Sequence, residues 1–263
     1  MRSHRKRVGV SLFFLGLAGC VAASAQQVSQ PLQANGNYLT AVPSRLLPFL
    51  NSYGDRLQKA GNERLTVTGT YHDANGDSPA LLITELPGKA RLTISGATKK
   101  DLVFDGAQSA AAVGAIDLDD LDILETFQND STEAFFFSYA GAGVRFLGGR
   151  FRAGNDKSAD YKGPYYEVYE LVGKAAVRGT TPLQQKLYYF DGATGLLAKT
   201  RYKIQRKSAA IDVQTVYSNW KTTQGQSVPG KIERFENGTS VLSFTAVSIA
   251  LSGLAADAAF SHQ

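Results

Sequence analysis

The sequence predicts a mainly β fold of the α+β kind, an antiparallel sheet supplemented by a few helices. Three observations carry this. Apolar and polar residues alternate with a period of 2 through most of the chain, as in Ile211, Val213, Thr215 and Tyr217 against Asp212, Gln214, Val216 and Ser218. Short turn sequences such as Asp191-Gly192-Ala193-Thr194-Gly195 and Glu236-Asn237-Gly238 separate the alternating runs. No helical crossover falls between the strands of the second half, so successive strands run antiparallel as a meander.

The order of elements begins with a targeting segment. Arg2-Ser3-His4-Arg5-Lys6-Arg7 is positive, and Val8 to Ala18 is apolar, long enough for a signal core and too short to span a bilayer. Two cleavage sites compete: before Cys20, after Leu17-Ala18-Gly19, or after Ala23-Ser24-Ala25. The first is similar to a bacterial lipobox and gives a lipoprotein acylated on Cys20; the second gives a soluble exported protein. Residues 1–25 are thus an export signal, 26–40 a polar leader and 41–263 one domain. The formal charge of +5 falls to near +1 without the four cations of the signal, and no basic, aromatic-interleaved stretch follows, which excludes most nucleic-acid binding. Cys20 has no disulfide partner, so the core alone must hold the fold.

Leu46, Leu47, Leu50, Tyr53 and Leu57 recur every three or four residues and predict one amphipathic helix over 42–60, stopped at Gly61-Asn62. Strands follow at 65–70, 78–85, 90–95 and 102–104, with Asp73-Ala74-Asn75-Gly76-Asp77 a hairpin turn rather than a calcium loop, since no distal bidentate glutamate follows. Leu118, Leu121, Leu124 and Phe127 predict a helix over 117–127, with Asp119, Asp120, Asp122 and Glu125 on a solvated face. Phe135, Phe136 and Phe137 are consecutive and cannot all face one side of a strand; a short buried helix and a ligand-facing segment are the two readings. Further strands are expected at 144–148, 165–172, 186–190, 196–204, 211–220, 230–235 and 240–251.

Catalytic and metal chemistry find little support. His72 and His262, the histidines outside the signal, stand next to no Cys, Asp or Glu at triad or ligand spacing. Gly141-Ala142-Gly143 and Gly148-Gly149 do not open a helix after a strand, as phosphate loops do. No cofactor is expected, and the absence of a nucleophile–base pair argues against a hydrolase.

The run Tyr188-Tyr189-Phe190-Asp191-Gly192-Ala193-Thr194-Gly195-Leu196-Leu197 resembles the hairpin of bacterial outer-membrane lipoprotein-sorting proteins of the LolA/LolB type. Ser227 to Phe235 and the ending Asp257-Ala258-Ala259-Phe260 resemble further segments of that family, over roughly residues 40–263. Phe146-Leu147-Gly148-Gly149 and Tyr166 to Leu171 fall where the family has paired central strands. The resemblance implies a strongly curved sheet, an incomplete barrel, with helices on its concave face and a non-enzymatic role in the periplasm. It implies binding of a lipid or the acyl part of a lipoprotein in an apolar cavity, with contact to the membrane and to other envelope proteins. The chain departs from the family in a longer insert at 154–163 and in lacking an alignable cavity arginine. Phe135, Phe136, Phe137, Phe146, Phe151 and Tyr169 are the candidate cavity-lining residues. The alternative is an envelope interaction module whose cavity its own side chains fill.

Overall fold

The computed structural model describes residues 44–57, 62–86, 88–96, 99–106, 109–111, 115–128, 130–139, 143–152, 160–173, 184–206, 208–254 and 259–260. The expected signal and leader, with Cys20, lie outside the described residues. Among the described residues there are fourteen strands and three short α-helices. The first half holds helix α1 (Leu47–Asn51) and strands β1 (Glu63–Asp73), β2 (Gly76–Glu85), β3 (Lys89–Ile94), β4 (Lys100–Phe104) and β5 (Ser109–Ala111). Helices α2 (Leu118–Gln128) and α3 (Thr132–Tyr139) follow. The second half runs β6 (Gly143–Arg152), β7 (Tyr165–Gly173), β8 (Gln184–Asp191), β9 (Leu197–Arg206), β10 (Ala209–Ser218), β11 (Lys221–Thr223), β12 (Gln226–Val228), β13 (Lys231–Glu236) and β14 (Thr239–Gly253).

Twelve strands form one antiparallel sheet in the order β5-β4-β3-β2-β1-β14-β13-β10-β9-β8-β7-β6, and β11 and β12 form a separate hairpin. The second half is the expected meander, and the first half is one as well. The last strand closes the seam by pairing with the first, Glu63 opposite Gly253. Strands β5 and β6 are the two open edges, and α2 and α3 carry the chain between them.

The sheet wraps around α2. Strands β4 and β8 are second and tenth in the order, about 38 Å apart in a flat sheet at ~4.8 Å per strand. Helix α2 is only about 16 Å long. Its Asp120 nevertheless meets Lys100 Nζ of β4 at 2.6 Å, while its Glu125 meets Lys186 Nζ of β8 at 2.8 Å. Only a curled sheet brings both strands within reach. Register breaks between Thr68 and Gly69 and between Arg234 and Phe235 help it bend.

The concave face holds the core. Leu82 (β2), Leu92 (β3), Leu102 and Phe104 (β4), Phe244 (β14) and Tyr217 (β10) are buried there with Leu124 and Phe127 of α2. The turn chemistry is as expected: Asp73 Oδ1 accepts from the Asn75 N–H at 2.8 Å, and Asn237 and Gly238 both take positive φ in the β13–β14 turn.

The helix predicted over 42–60 is much shorter. Ser44–Leu46 form one 3-10 turn, α1 follows over five residues, and the chain leaves helical geometry at Gly54, whose φ is 66°. A Cβ at Gly54 would run into the Gly225 carbonyl of the β11–β12 hairpin, so this close approach ends the helix. The apolar spacing still found the right face: Leu46, Leu50, Tyr53 and Leu57 are buried, and of the five only Leu47 is exposed.

Candidate functional site

Phe135–Phe137 lie on a helix, α3, as one of the two readings expected. Ser131 caps α3, its Oγ accepting from the Ala134 N–H at 3.1 Å. Adjacent helical residues point about 100° apart, and α3 buries both Phe135 and Phe136 because it has neighbours on two sides. Phe135 packs on the sheet, its ring centroid 4.9 Å from Tyr188, 5.0 Å from Phe190 and 5.7 Å from Tyr169. Phe136 lies 6.1 Å from Phe190 and 6.3 Å from Tyr53, just beyond α1. The side chain of Phe137 lies outside the described residues.

The turn Asp191–Gly195 positions α1 over this cluster. Asp191 Oδ1 accepts from the Ala193 and Thr194 N–H groups, which sets the turn. Ser52 Oγ then donates to the Thr194 carbonyl at 2.6 Å, and the Leu197 N–H donates to the Tyr53 hydroxyl oxygen at 2.5 Å. Phe49 of α1 thereby stacks 5.2 Å from Phe190. Burial raises the Tyr53 hydroxyl well above the usual tyrosine range.

Four of the six candidate residues come together: Phe135, Phe136, Tyr169 and Phe146. Tyr169 is 2% exposed and Phe146 37%, yet their rings are 5.0 Å apart. Phe146 therefore links the surface to the interior cluster, with the Arg45 guanidinium 4.4 Å above its ring. Phe151 stands apart, 43% exposed. Its strand, β6, pairs with β7 as expected, but at the sheet edge. Sequence reasoning missed Phe49, Tyr188 and Phe190. The last two share the strand parity of Lys186, all three pointing inward.

A second interior site corrects the expected solvated face of α2. Asp120, Asp122 and Glu125 are all buried, whereas Asp119 is exposed and Leu118, placed on the apolar stripe, is 56% exposed. The wrapped sheet supplies cations where solvent was expected. Lys186 Nζ lies 2.8 Å from Glu125 Oε1 and 2.7 Å from Asp130 Oδ1. Arg206 pairs with Asp122 and Glu236, and Arg234 bonds Glu236 Oε1 at 3.0 Å and the Asp122 carbonyl at 3.1 Å. Asp130 accepts further from Thr215 at 2.6 Å and Tyr202 at 3.1 Å, and its carbonyl from the Tyr217 hydroxyl.

Burial pulls the Lys186 ammonium down, but Asp130 and Glu125 together outweigh it and hold the group well above the usual lysine range. Burial raises the Tyr202 and Tyr217 hydroxyls strongly, and Asp130 adds to both. The Lys186 ammonium therefore stays charged and the Tyr202 and Tyr217 hydroxyls stay protonated at neutral pH. Such an arrangement holds α2 to the sheet, with Lys186, Glu125, Asp130 and Arg234 buried and Arg206 reaching the surface.

Elsewhere, His72 Nδ1 lies 2.7 Å from Asp77 Oδ1 on the exposed β1–β2 hairpin, a pairing that the linear spacing did not suggest. Among the described residues, no group of three or more His, Cys, Asp or Glu could hold a metal ion, and no helix is long and apolar enough to cross a membrane.

An open, strongly curved antiparallel sheet closed over by helices defines the architectural class. Among solved structures, a LolA superfamily protein from Nitrosomonas europaea is similar over 80% of this chain and 94% of its own, at 11% identity and a TM-score of 0.50. A putative outer membrane lipoprotein-sorting protein domain from Vibrio parahaemolyticus (11% identity, 78% and 91% covered, TM-score 0.42) and a DUF1329 family protein from Desulfovibrio piger (11%, 82% and 95%, 0.44) are also similar. The chain has the LolA-like fold. No family model matches it, and no curated protein is significantly similar.

Proposed function

We propose that this is a non-enzymatic, exported protein of the bacterial envelope that binds an acyl chain of a lipid or lipoprotein. The single observation behind this reading is the contact between Phe146 and Tyr169. It makes a continuous apolar path from the sheet edge to the ring cluster beneath α1 and α3. An acyl chain would enter beside Phe146 and lodge against Tyr169, Phe135 and Phe136 as α1 and α3 shift outward. Each methylene removed from water contributes about 0.8 kcal/mol, so roughly ten outweigh the ordering cost of binding. Flexible chains need no directional contacts, which accounts for a site made of rings.

The dense packing of that cluster favours a second reading. Phe135 is fully buried against three rings, so the interior is also suited to an interaction module that takes no cargo. Native mass spectrometry of the protein isolated from its envelope fraction separates the two. Bound lipid, lost in Tyr169→Ala, supports the carrier; bare polypeptide, with no displacement of a fluorescent fatty acid, supports the module. The expected domain plan, with a signal over 1–25 and a leader over 26–40, includes the choice between an anchored and a soluble form. Palmitate labelling of wild type against Cys20→Ala decides it.

A further inference from the structure

We propose that the β6 edge of the sheet docks on the surface of a bilayer containing anionic lipid. The inference rests on the envelope location proposed above and not on uptake of an acyl chain. Exposed large apolar side chains are concentrated here: Leu47 of α1, Phe146, Leu147 and Phe151 of β6, and Tyr165 and Val172 of β7 are each more than a third exposed. On β6, Phe146, Leu147 and Phe151 span a strip of about 17 Å, with Val172 opposite Gly143 beyond one end and Tyr165 opposite Arg152 at the other. A concentration of exposed apolar groups of this kind marks a contact surface.

The chemistry of the strip selects the occupant. Phe146 faces the concave side, toward Tyr169, while Leu147 sits at the break in register between Phe146 and Gly148 and is itself exposed. The exposed apolar groups therefore lie along an irregular, bulged edge, a shape that a fluid layer envelops and a flat protein surface does not. An added peptide strand is disfavoured, because β6 breaks register between Phe146 and Gly148 and again between Gly148 and Phe151.

Cations flank the strip. Arg45 lies over Phe146, Arg152 lies 5.1 Å over the Tyr161 ring, and Arg145 keeps its side chain 68% exposed while bonded to the buried Glu170. Lys162 is exposed as well, alongside Asp160. Guanidinium groups beside aromatic rings match the phosphate level of a membrane, with the rings at the boundary of the acyl region.

The test uses processed, exported protein carrying Cys20→Ser, so that no covalent acyl group contributes, in sedimentation with sucrose-loaded vesicles. Vesicles of phosphatidylcholine with one quarter phosphatidylglycerol should carry the protein down, and pure phosphatidylcholine should do so several-fold less well. Leu147→Glu with Phe151→Glu, both at exposed positions, should weaken binding at least tenfold while the unfolding midpoint stays near wild type. Wild type remaining in the supernatant with both vesicles, or sedimenting no better than the double variant, would overturn the proposal. So would a wild-type dimer that ignores vesicles and that the same variant dissociates, since the strip would then belong to a second copy of the chain. Fatty-acid displacement is measured in parallel: its loss with vesicle binding intact removes the carrier reading alone.

Discussion

Replacing Lys186 by Met tests the interior network directly. In the native fold the ammonium lies between two buried carboxylates, at 2.8 Å from Glu125 and 2.7 Å from Asp130. Removing one partner of a buried ionic group leaves charge without compensation and costs about 3–5 kcal/mol. For a chain of this size that lowers the melting temperature by about 6–20 °C. Urea unfolding is read by the fluorescence of Trp220, the single tryptophan, whose ring is 5.5 Å from Tyr53. The pH dependence adds a sign. Burial lowers the Lys186 pKa, but the two carboxylates raise it further, above its unfolded value. Its stabilisation is therefore complete below about pH 10 and is lost as pH rises through the folded value. In the variant that alkaline loss should diminish. Lys186→Met with Glu125→Gln and Asp130→Asn should recover most of the lost stability, because no unpaired charge remains. A loss below about 1 kcal/mol in the single variant would show that the carboxylates are hydrated and the reasoning wrong.

Other outcomes follow from the same geometry. Phe135→Ala should cost about 3–5 kcal/mol by opening a cavity among three rings, whereas Phe151→Ala should stay within about 0.5 kcal/mol, both by urea titration. Tyr53→Phe strips the acceptor from the buried Leu197 N–H and should cost about 1–3 kcal/mol, with faster amide exchange at Leu197. Gly195→Ala should lower the melting temperature, since φ there is 74° and a Cβ would meet Ser52 and the Pro48 carbonyl. Asp101 is held below its usual pKa, chiefly by its bonds to Arg91. That contribution is present above about pH 4 and lost on acidification; Asp101→Asn should flatten the acid limb of the stability curve.

The second half of the sheet was legible because its strands are consecutive and their turns carry strong signals, Asn237-Gly238 above all. The short helix α1 was not: its end depends on Gly54 meeting a hairpin at Gly225, 171 positions later in the chain, which no local period records. The burial of Asp122 and Glu125 was hidden in the same way. Read alone, α2 has an acidic face, and acidic faces usually point to water. Its partners Lys186, Arg206 and Arg234 lie on three later strands. One clue was present. Lys186 shares its strand parity with Tyr188 and Phe190, and Arg234 with Ile232, so each basic residue sits in an otherwise inward-pointing row. The ring cluster was half visible, since three consecutive phenylalanines mark a buried segment, while the rings they meet are distributed over α1, β7 and β8.

The seam between β1 and β14 has a consequence for how the molecule is made. Glu63 waits for Gly253, so the first hairpins emerge with one flank unsatisfied until almost the whole polypeptide has been delivered. Assembly of the centre of the sheet is therefore a late, slow event, and during that interval the nascent flank of β1 is the place where a chaperone protects the chain or aggregation begins.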